Sequence, residues 1–146
     1  MLVGRKHVLQ RMQGRKMGIK KEIIDVYTGV MAKSGTPLSP VVKAGDFLFL
    51  SGIPPRDPKT GKVPLADIRL QTELVLQEIK RRLEAAGSSL DKVVKCTVYV
   101  TNAAYFDLIN EVYARYFDHD PPARTFVTVG SWPWPFDIEI DCIAIA

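Results

Sequence analysis

The sequence predicts a single α+β domain in which two helices cover one face of a mixed sheet of about six strands. At 146 residues, the chain can form one hydrophobic core. Its composition, 47% hydrophobic and 25% charged, is ordinary for a globular protein. Six segments have strand patterns, either a two-residue alternation or a short apolar run, and two have the spacing of amphipathic helices, so the predicted order is β-β-β-α-β-α-β-β.

The first three strands are predicted before the first helix. Residues 21–27 alternate weakly, and the following stretch to Pro40 is rich in glycine and proline. Residues 41–43 and 47–51 form a predicted hairpin around Gly45. Because residues 47–50 are all apolar, we expect this strand to be covered on both faces.

The first helix is predicted from Asp67, a suitable N-cap, to about Ala86, with Gly87 ending it. Its apolar stripe has helical spacing and faces the core. The opposite face is expected to lie in solvent and carries Glu78, Lys80, Arg81 and Glu84.

The second half contains a strand, a helix and two more strands. Residues 93–101 alternate, with Val94, Cys96, Val98 and Val100 on one side. Asn102 is a predicted cap for a helix to about residue 117, whose core stripe includes Phe106, Ile109, Val112, Tyr113 and Tyr116. Strands are predicted over 124–129 and 136–144, joined by a loop whose Trp132 and Trp134 are expected to cover the sheet edge or a subunit seam.

Two helices can cover only one face of such a sheet. The other face, on which half of the apolar run 47–50 would lie, needs a different cover. We therefore expect a homo-oligomer packed through this open face.

The net charge of +4 comes from the N-terminal arm, residues 1–20, before the domain at 21–146. Five basic residues and no acid fall within residues 1–16, so the remainder has a net charge of −1. The arm is interpreted as a solvated tail or as an extension before a start at Met12 or Met17, with nonspecific phosphate binding as an alternative. No apolar run is long enough for a membrane span or a signal peptide, which favours a cytoplasmic protein.

Cysteine and histidine are scarce. Cys96 and Cys142 both occupy apolar positions of predicted strands and are expected to be buried thiols. His7 lies in the arm and His119 in a loop, so neither a Ser-His-Asp triad nor a His-rich metal site can be assembled.

Arg124 is the strongest candidate for a functional residue. It begins a predicted strand, and its guanidinium can hold a carboxylate through two parallel hydrogen bonds. In the last strand, Asp137, Glu139 and Asp141 share one side. They are either exposed on an edge strand or, for Glu139 at least, part of a cleft near Arg124. The sequence does not fix the register that would decide between these two placements.

Eight ordered segments resemble the RidA/YjgF family of reactive-intermediate deaminases, also called the liver perchloric-acid-soluble protein family. The resemblance covers about residues 20–146. The segments are Val42-Lys43-Ala44-Gly45, Phe49-Leu50-Ser51-Gly52, Asp57-Pro58-Lys59-Thr60-Gly61, Gln71-Thr72, Leu83-Glu84-Ala85-Ala86-Gly87-Ser88-Ser89-Leu90, Asn110-Glu111-Val112-Tyr113, Pro122-Ala123-Arg124 and Ile138-Glu139-Ile140.

The resemblance implies a chorismate-mutase-like fold assembled as a homotrimer, with clefts between subunits. It also implies hydrolysis of enamines and imines such as 2-aminoacrylate and related 2-imino acids to 2-keto acids and ammonia, without a cofactor or a metal. In this pattern Arg124 clamps the substrate carboxylate, assisted by the backbone at Ser51 and Gly52. Glu139 orients the attacking water, and Asn110 shapes the pocket. On their own residue types, Ser51 and Asn110 are equally compatible with purely structural roles.

Two positions depart from the family pattern. Leu38 stands where the family has a pocket tyrosine, and Phe126 stands where a cysteine is common. We expect Phe126 to keep the backbone contact of that position and to make the pocket narrower or more apolar. A changed substrate preference, a reduced rate, or a bulkier or more apolar imine is expected.

Two other functions fit these residues. A carboxylate-binding or regulatory protein could retain the cleft without the chemistry, as Leu38 and Phe126 would allow. A ribonuclease or translation inhibitor, a function attached to some relatives, could use the basic arm. Nucleic acid is the less favoured partner, because the predicted body has no basic stripe and no aromatic sheet for stacking RNA bases.

Overall fold

The computed structural model describes residues 18–29 and 35–146, so the predicted interpretations of residues 1–16 lie outside the described residues. The described part contains one six-stranded sheet and two α-helices, in the predicted order. The strands are β1 (Lys21–Ile24), β2 (Val41–Ala44), β3 (Phe47–Ile53), β4 (Val93–Val100), β5 (Ala123–Thr128) and β6 (Ile138–Ile145), and the helices are α1 (Ile68–Ala85) and α2 (Phe106–Tyr116).

The sheet has the strand order β1-β2-β3-β6-β4-β5. Strands β4 and β5 are parallel and the other neighbours are antiparallel, which confirms the mixed sheet. The last strand, β6, lies between β3 and β4. The interpretation of its acidic residues as part of an edge strand is therefore wrong. The edge strand near the site is β5, which carries Arg124.

The core lies between the helices and one face of the sheet. On β6, Ile138, Ile140 and Cys142 are buried and alternate with partly exposed residues. Ile79 and Leu83 of α1 are fully buried in the same cluster. The predicted helix-covered face is confirmed, and alternate residues of each strand point to the opposite face, here called the open face.

Local signals set the ends of α1 as predicted. The side chain of Asp67 accepts a hydrogen bond of 2.9 Å from the backbone N–H of Leu70. At the other end, Gly87 has a φ of +80°, a conformation that side-chain-bearing residues rarely adopt. The N–H of Ser88 then donates to the carbonyl of Leu83 at 2.8 Å and ends the helix.

The expectation that Glu78 lies in solvent is wrong. Its carboxylate is buried and accepts hydrogen bonds of 2.7 and 2.8 Å from Arg81 and of 2.8 Å from Arg82. A segment distant in sequence covers this side of α1. Arg81 donates to the carbonyl of Val26 at 2.9 Å, and the Arg82 guanidinium lies 5.8 Å from the ring centre of Tyr27. A helical pattern alone does not reveal such a cover.

Three predicted boundaries or phases also change. The first strand ends at Ile24 rather than residue 27. A register shift between β4 and β6 leaves Val94 exposed and buries Val93 instead. Asn102 caps a short 3₁₀ turn, accepting from the N–H of Ala104 at 2.9 Å, and α2 begins only at Phe106.

The open face has no helix over it within the described ranges. It exposes large apolar side chains along β1, β3 and β6, which are Ile23, Phe47, Phe49 and Ile145. Exposed apolar side chains grouped in this way are typical of a surface that another protein covers. The predicted homo-oligomer stays a prediction that this surface favours.

Across residues 18–29 and 35–146, neither helix combines the length and the apolar character needed to cross a bilayer.

Candidate functional site

Arg124 points to the helix side of the sheet from the edge strand β5. Its register partner on β4 is the buried Cys96, so both side chains lie on the face that the helices cover. Nη1 of Arg124 donates a hydrogen bond of 2.8 Å to Oδ1 of Asn110 on α2. The packing of α2 on β5 thus brings together Arg124 and Asn110, two residues that the family resemblance had assigned to the pocket.

Aromatic rings flank the guanidinium. Its Cζ lies 4.8 Å from the ring centre of Tyr113 and 5.6 Å from that of Phe106, and both contacts fall within the cation–π range. Phe106 also makes an edge-to-face contact with Phe126, at 5.0 Å between ring centres. In the described part of the chain, Asn110 is the one hydrogen-bond partner of the guanidinium, so other N–H donors of Arg124 are available to a ligand.

Sequence reasoning placed Phe106 and Tyr113 in the core stripe and missed their contact with Arg124. Tyr113 is buried and Phe106 is exposed. The signal was present in the spacing, because residues 106, 110 and 113 recur on one side of a helix. Only the pairing of β5 with β4 brings Arg124 under that side.

The thiols below this site are not reactive groups. Cys96 and Cys142 are free and buried, as expected. Burial raises the pKa of Cys96 to about 11, so this thiol is protonated near neutral pH. The hydroxyl of Tyr113 is buried without a hydrogen-bond partner among the described residues. Its pKa is raised, mainly by burial and secondly by the neighbouring Cys96.

Glu139 lies in a second group of candidate residues, on the open face. Its carboxylate packs against the backbone of Gly52 on β3, where a Cβ would lie 2.2 Å from Oε1 of Glu139. Only glycine leaves room for the acid in this position. Burial, and then the charge of Asp141, raise the pKa of Glu139 above its usual range.

The three acids predicted to share one side of the last strand have different partners. Asp141 accepts a hydrogen bond of 2.9 Å from the hydroxyl of Tyr99. Asp137, which precedes β6, accepts from Nε2 of Gln71 at 3.1 Å, and its backbone N–H donates to Oε1 of Gln71 at 2.8 Å. All three acids are half-buried, and among the described residues Glu139 is the one of the three whose carboxylate accepts no hydrogen bond.

Ser51, next to Gly52 on β3, is hydrogen-bonded to the loop that precedes β2. Its hydroxyl donates to the carbonyl of Ser39 at 2.7 Å, and its N–H donates to the carbonyl of Pro40 at 3.2 Å. Leu38, next to Ser39, is exposed. Ser51 therefore lies beside Gly52, which packs against Glu139, and Leu38 is connected to them through its chain neighbour Ser39.

Within one chain, Glu139 and Arg124 do not lie in the same cleft. Arg124 is in register with Cys96, which is in register with Cys142 on β6. Glu139 is three residues before Cys142, and an odd separation along a strand reverses the side on which a side chain lies. Two groups of residues therefore face opposite sides of the sheet. The Arg124 group consists of Arg124, Asn110, Tyr113, Phe106 and Phe126, and the Glu139 group consists of Glu139, Gly52 and Ser51.

The loop before β6 borders an open groove. The groove is about 620 Å³ in volume and reaches from the Trp132–Pro135 loop to the segment before α1. Trp132 stacks on Phe136 with 4.6 Å between ring centres, whereas Trp134 is exposed. Within the described ranges, no cluster of three or more His, Cys, Asp or Glu side chains is arranged to hold a metal.

Comparison with known proteins shows the family. Residues 30–146 match the family model described as Endoribonuclease L-PSP. A RutC family protein of Pyrococcus horikoshii is 48% identical over 124 residues, which are 85% of this chain and 97% of that protein. Reactive Intermediate Deaminase A, chloroplastic, of Arabidopsis thaliana is 37% identical over 126 residues, covering 86% of this chain and 66% of that protein.

A solved structure agrees with these relatives. The crystal structure of Escherichia coli TdcF with bound serine superposes with a TM-score of 0.76 at 35% identity, covering 86% of this chain and 98% of that chain. The fold, the family model and the relatives together confirm the resemblance seen in the sequence. The chain belongs to the Endoribonuclease L-PSP family, which is the RidA/YjgF family.

Proposed function

We propose that the protein hydrolyses 2-imino acids to 2-keto acids and ammonia, in clefts between the subunits of a homotrimer. The observation that carries the proposal is the guanidinium of Arg124, which Asn110 holds at 2.8 Å while other N–H donors remain available. A 2-imino acid has a carboxylate next to its reacting carbon. Two parallel hydrogen bonds from Arg124 would bind the carboxylate and orient that carbon.

The separation of the two groups supports a site shared between subunits. A substrate held by Arg124 in one chain cannot reach Glu139 of the same chain through the sheet. In a closed assembly packed through the open faces, the Arg124 group of one subunit can meet the Glu139 group of the next. The exposed apolar side chains of that face, including Phe47 and Phe49, support such packing.

The reaction needs a bound substrate and a placed water. The water oxygen forms a bond to C2 while the electron pair of the C=N bond moves to nitrogen. Glu139 accepts a proton from the water and delivers it to that nitrogen. The C–N bond then breaks, the C2 hydroxyl proton passes to the departing nitrogen, and a 2-keto acid and ammonia are left. No electron is gained or lost overall.

The environment of Glu139 suits this role. Its raised pKa, caused by burial and by Asp141, brings the group closer to neutral pH than an ordinary glutamate. A group that must accept and return a proton works best when its pKa is near the working pH. The absence of a side chain at Gly52 leaves room for the carboxylate in this position.

The relatives support the same chemistry at a coarser level. The Arabidopsis relative is named as a reactive intermediate deaminase, and the TdcF structure has serine bound. Serine has a carboxylate on the carbon next to nitrogen, as a 2-imino acid does. We propose a comparable ligand for this chain.

The test is to generate 2-imino acids with an amino acid oxidase in the presence of catalase. The imine remaining at each time is trapped with semicarbazide. We expect the wild-type protein to shorten the lifetime of the imine, Arg124→Ala to abolish the effect, and Arg124→Lys to retain a small part of it. Equal imine lifetimes with and without the wild-type protein, for every imino acid tried, would refute the proposal.

One alternative uses the same residues without chemistry. Leu38 and Phe126 replace a tyrosine and a cysteine of the family pattern, which favours a carboxylate-binding protein without turnover. Saturable binding of a 2-keto acid that Arg124→Ala removes, together with an unchanged imine lifetime, would support this alternative. RNA cleavage lost in Arg124→Ala would instead support the activity in the family model's description.

A further inference from the structure

We infer that the preferred substrates are 2-imino acids with an aromatic side chain, bound beside an aromatic wall formed by Phe106 and Phe126. The inference rests on the proposed function and concerns which 2-imino acid the site selects. Its basis is the position of the two rings relative to Arg124, which would bind the carboxylate common to all such substrates.

The wall begins on the strand that carries the arginine. Phe126 follows Arg124 by two residues on β5, so both side chains lie on the helix-covered face. Phe126 is half-buried and packed against the hydrophobic core, which fixes its ring. Helix α2 places Phe106 against it, edge to face, with 5.0 Å between ring centres and 83° between ring planes.

Phe106 is the ring that a ligand would touch. The guanidinium of Arg124 lies near two rings, but Tyr113 is only 6% exposed whereas Phe106 is 43% exposed. The Phe106 ring centre is 5.6 Å from Cζ of Arg124. A carboxylate oxygen would lie about 3 Å from a guanidinium nitrogen, so the substituent on C2 lies within reach of Phe106.

The size and character of the substituent then decide the contact. A methyl group covers little of an exposed phenyl ring, whereas a benzyl group can cover most of it. Aromatic pairs also gain from edge-to-face or offset geometry beyond the area that they bury. Together these effects predict a preference of about tenfold in kcat/KM for a benzyl over a methyl substituent.

The experiment compares imines generated from phenylalanine, leucine and alanine by an amino acid oxidase, in wild type and two variants. Phe106→Ala removes the exposed ring of the wall. Leu70→Ala is the matched control, because Leu70 is 48% exposed on α1 and is not among the residues assigned to the site. The readout is kcat/KM for each imine, together with calorimetric binding of phenylpyruvate and pyruvate.

We expect wild type to prefer the phenylalanine-derived imine about tenfold over the alanine-derived one, and Phe106→Ala to reduce that ratio to near unity. Leu70→Ala should retain the preference. Hydrolysis of the alanine-derived imine at an equal or higher kcat/KM would overturn the inference and leave the proposed function standing. No acceleration with any imine would overturn both. An unchanged ratio in Phe106→Ala would also overturn the inference. Circular dichroism is to be measured on each variant as a check that it is folded.

Discussion

Arg124 and Glu139 extend from opposite faces of one sheet, and β4 lies between their two strands. Arg124 lies with α2 on the covered face, and Glu139 lies against Gly52 on the open face. If both residues act on one substrate, a single subunit does not have a complete site. The proposed function and the predicted oligomer are therefore coupled, and they can be tested together.

Mixing two inactive variants should restore activity. In a cyclic trimer, Arg124→Ala subunits supply Glu139 and Glu139→Ala subunits supply Arg124. Each mixed trimer then has one intact site, so an equal random mixture should have about a quarter of the wild-type activity. The measurement is the imine lifetime after the variants are dissociated together, mixed and reassembled.

The control is the same mixture without dissociation, which should stay inactive. Sedimentation should show a trimer for each variant. Activity that stays at the level of the separate variants after verified subunit exchange would contradict a site shared between subunits.

Gly52→Ala should remove activity while leaving the fold intact. The added Cβ would lie 2.2 Å from Oε1 of Glu139 and 2.7 Å from its carboxyl carbon, so the acid must move. To relieve this clash the carboxylate must move by about 1 Å, and a misplacement of about 1 Å can lower the rate by about a hundredfold. The control is Gly130→Ala, because a Cβ at Gly130 meets no atom within 4 Å. Equal kcat values for the two variants would show that the position of Glu139 is unimportant.

The pH dependence should report the environment of Glu139. As the proton acceptor it must be ionised, so activity should fall as pH decreases through its raised pKa. Burial and the charge of Asp141 cause this elevation. Asp141→Asn removes the second cause, and the acidic limb of the kcat/KM profile should move to lower pH.

Tyr99→Phe is the control for that experiment, because it removes the hydroxyl that donates to Asp141 and leaves the carboxylate present. The acidic limb should not move to lower pH in this variant. The ratio of variant to wild-type rates cancels the titration of the imine itself. An acidic limb at the same pH in wild type and Asp141→Asn would separate Asp141 from the ionisation that controls the rate.

Much of the fold follows from local signals. The order of elements, the hairpin at Gly45 and both ends of α1 depend on residues that act within a few positions, such as Asp67 and Gly87. The exposure of Val94 does not follow from local signals, because it arises from a register shift between β4 and β6. Strand pairing is set by contacts distant in sequence, which alternation within one strand cannot specify.

The same limit applies to the site. The residue type of Arg124 and the family segments identified it as a candidate, and its pairing with Asn110 is present in the structure. The face on which it lies depends on β5 pairing with β4 rather than with β6. Consequently the sequence could nominate Arg124 and Glu139 together but could not show that one sheet separates them.

Glu78 provides a stability test that is independent of the site. Its side chain is 5% exposed and accepts from both Arg81 and Arg82, so Glu78→Gln would leave the largely buried Arg82 without its acid. We expect a loss of about 3 kcal/mol in the free energy of unfolding at neutral pH, measured with urea at fixed protein concentration. Glu84→Gln, at a pair with 57% exposure of the acid and 4.0 Å from Lys80, should change it by less than about 0.5 kcal/mol.

The pH dependence of that loss has a definite sign. Burial alone would raise the pKa of Glu78, but the hydrogen bonds from Arg81 and Arg82 outweigh it and hold the pKa below the ordinary value of 4.5. The stabilisation by ionised Glu78 is therefore fully present above that value and decreases as pH falls through the lowered pKa of the folded protein. The difference between wild type and Glu78→Gln should shrink on acidification, and a difference that grew would contradict the assigned ion pairs.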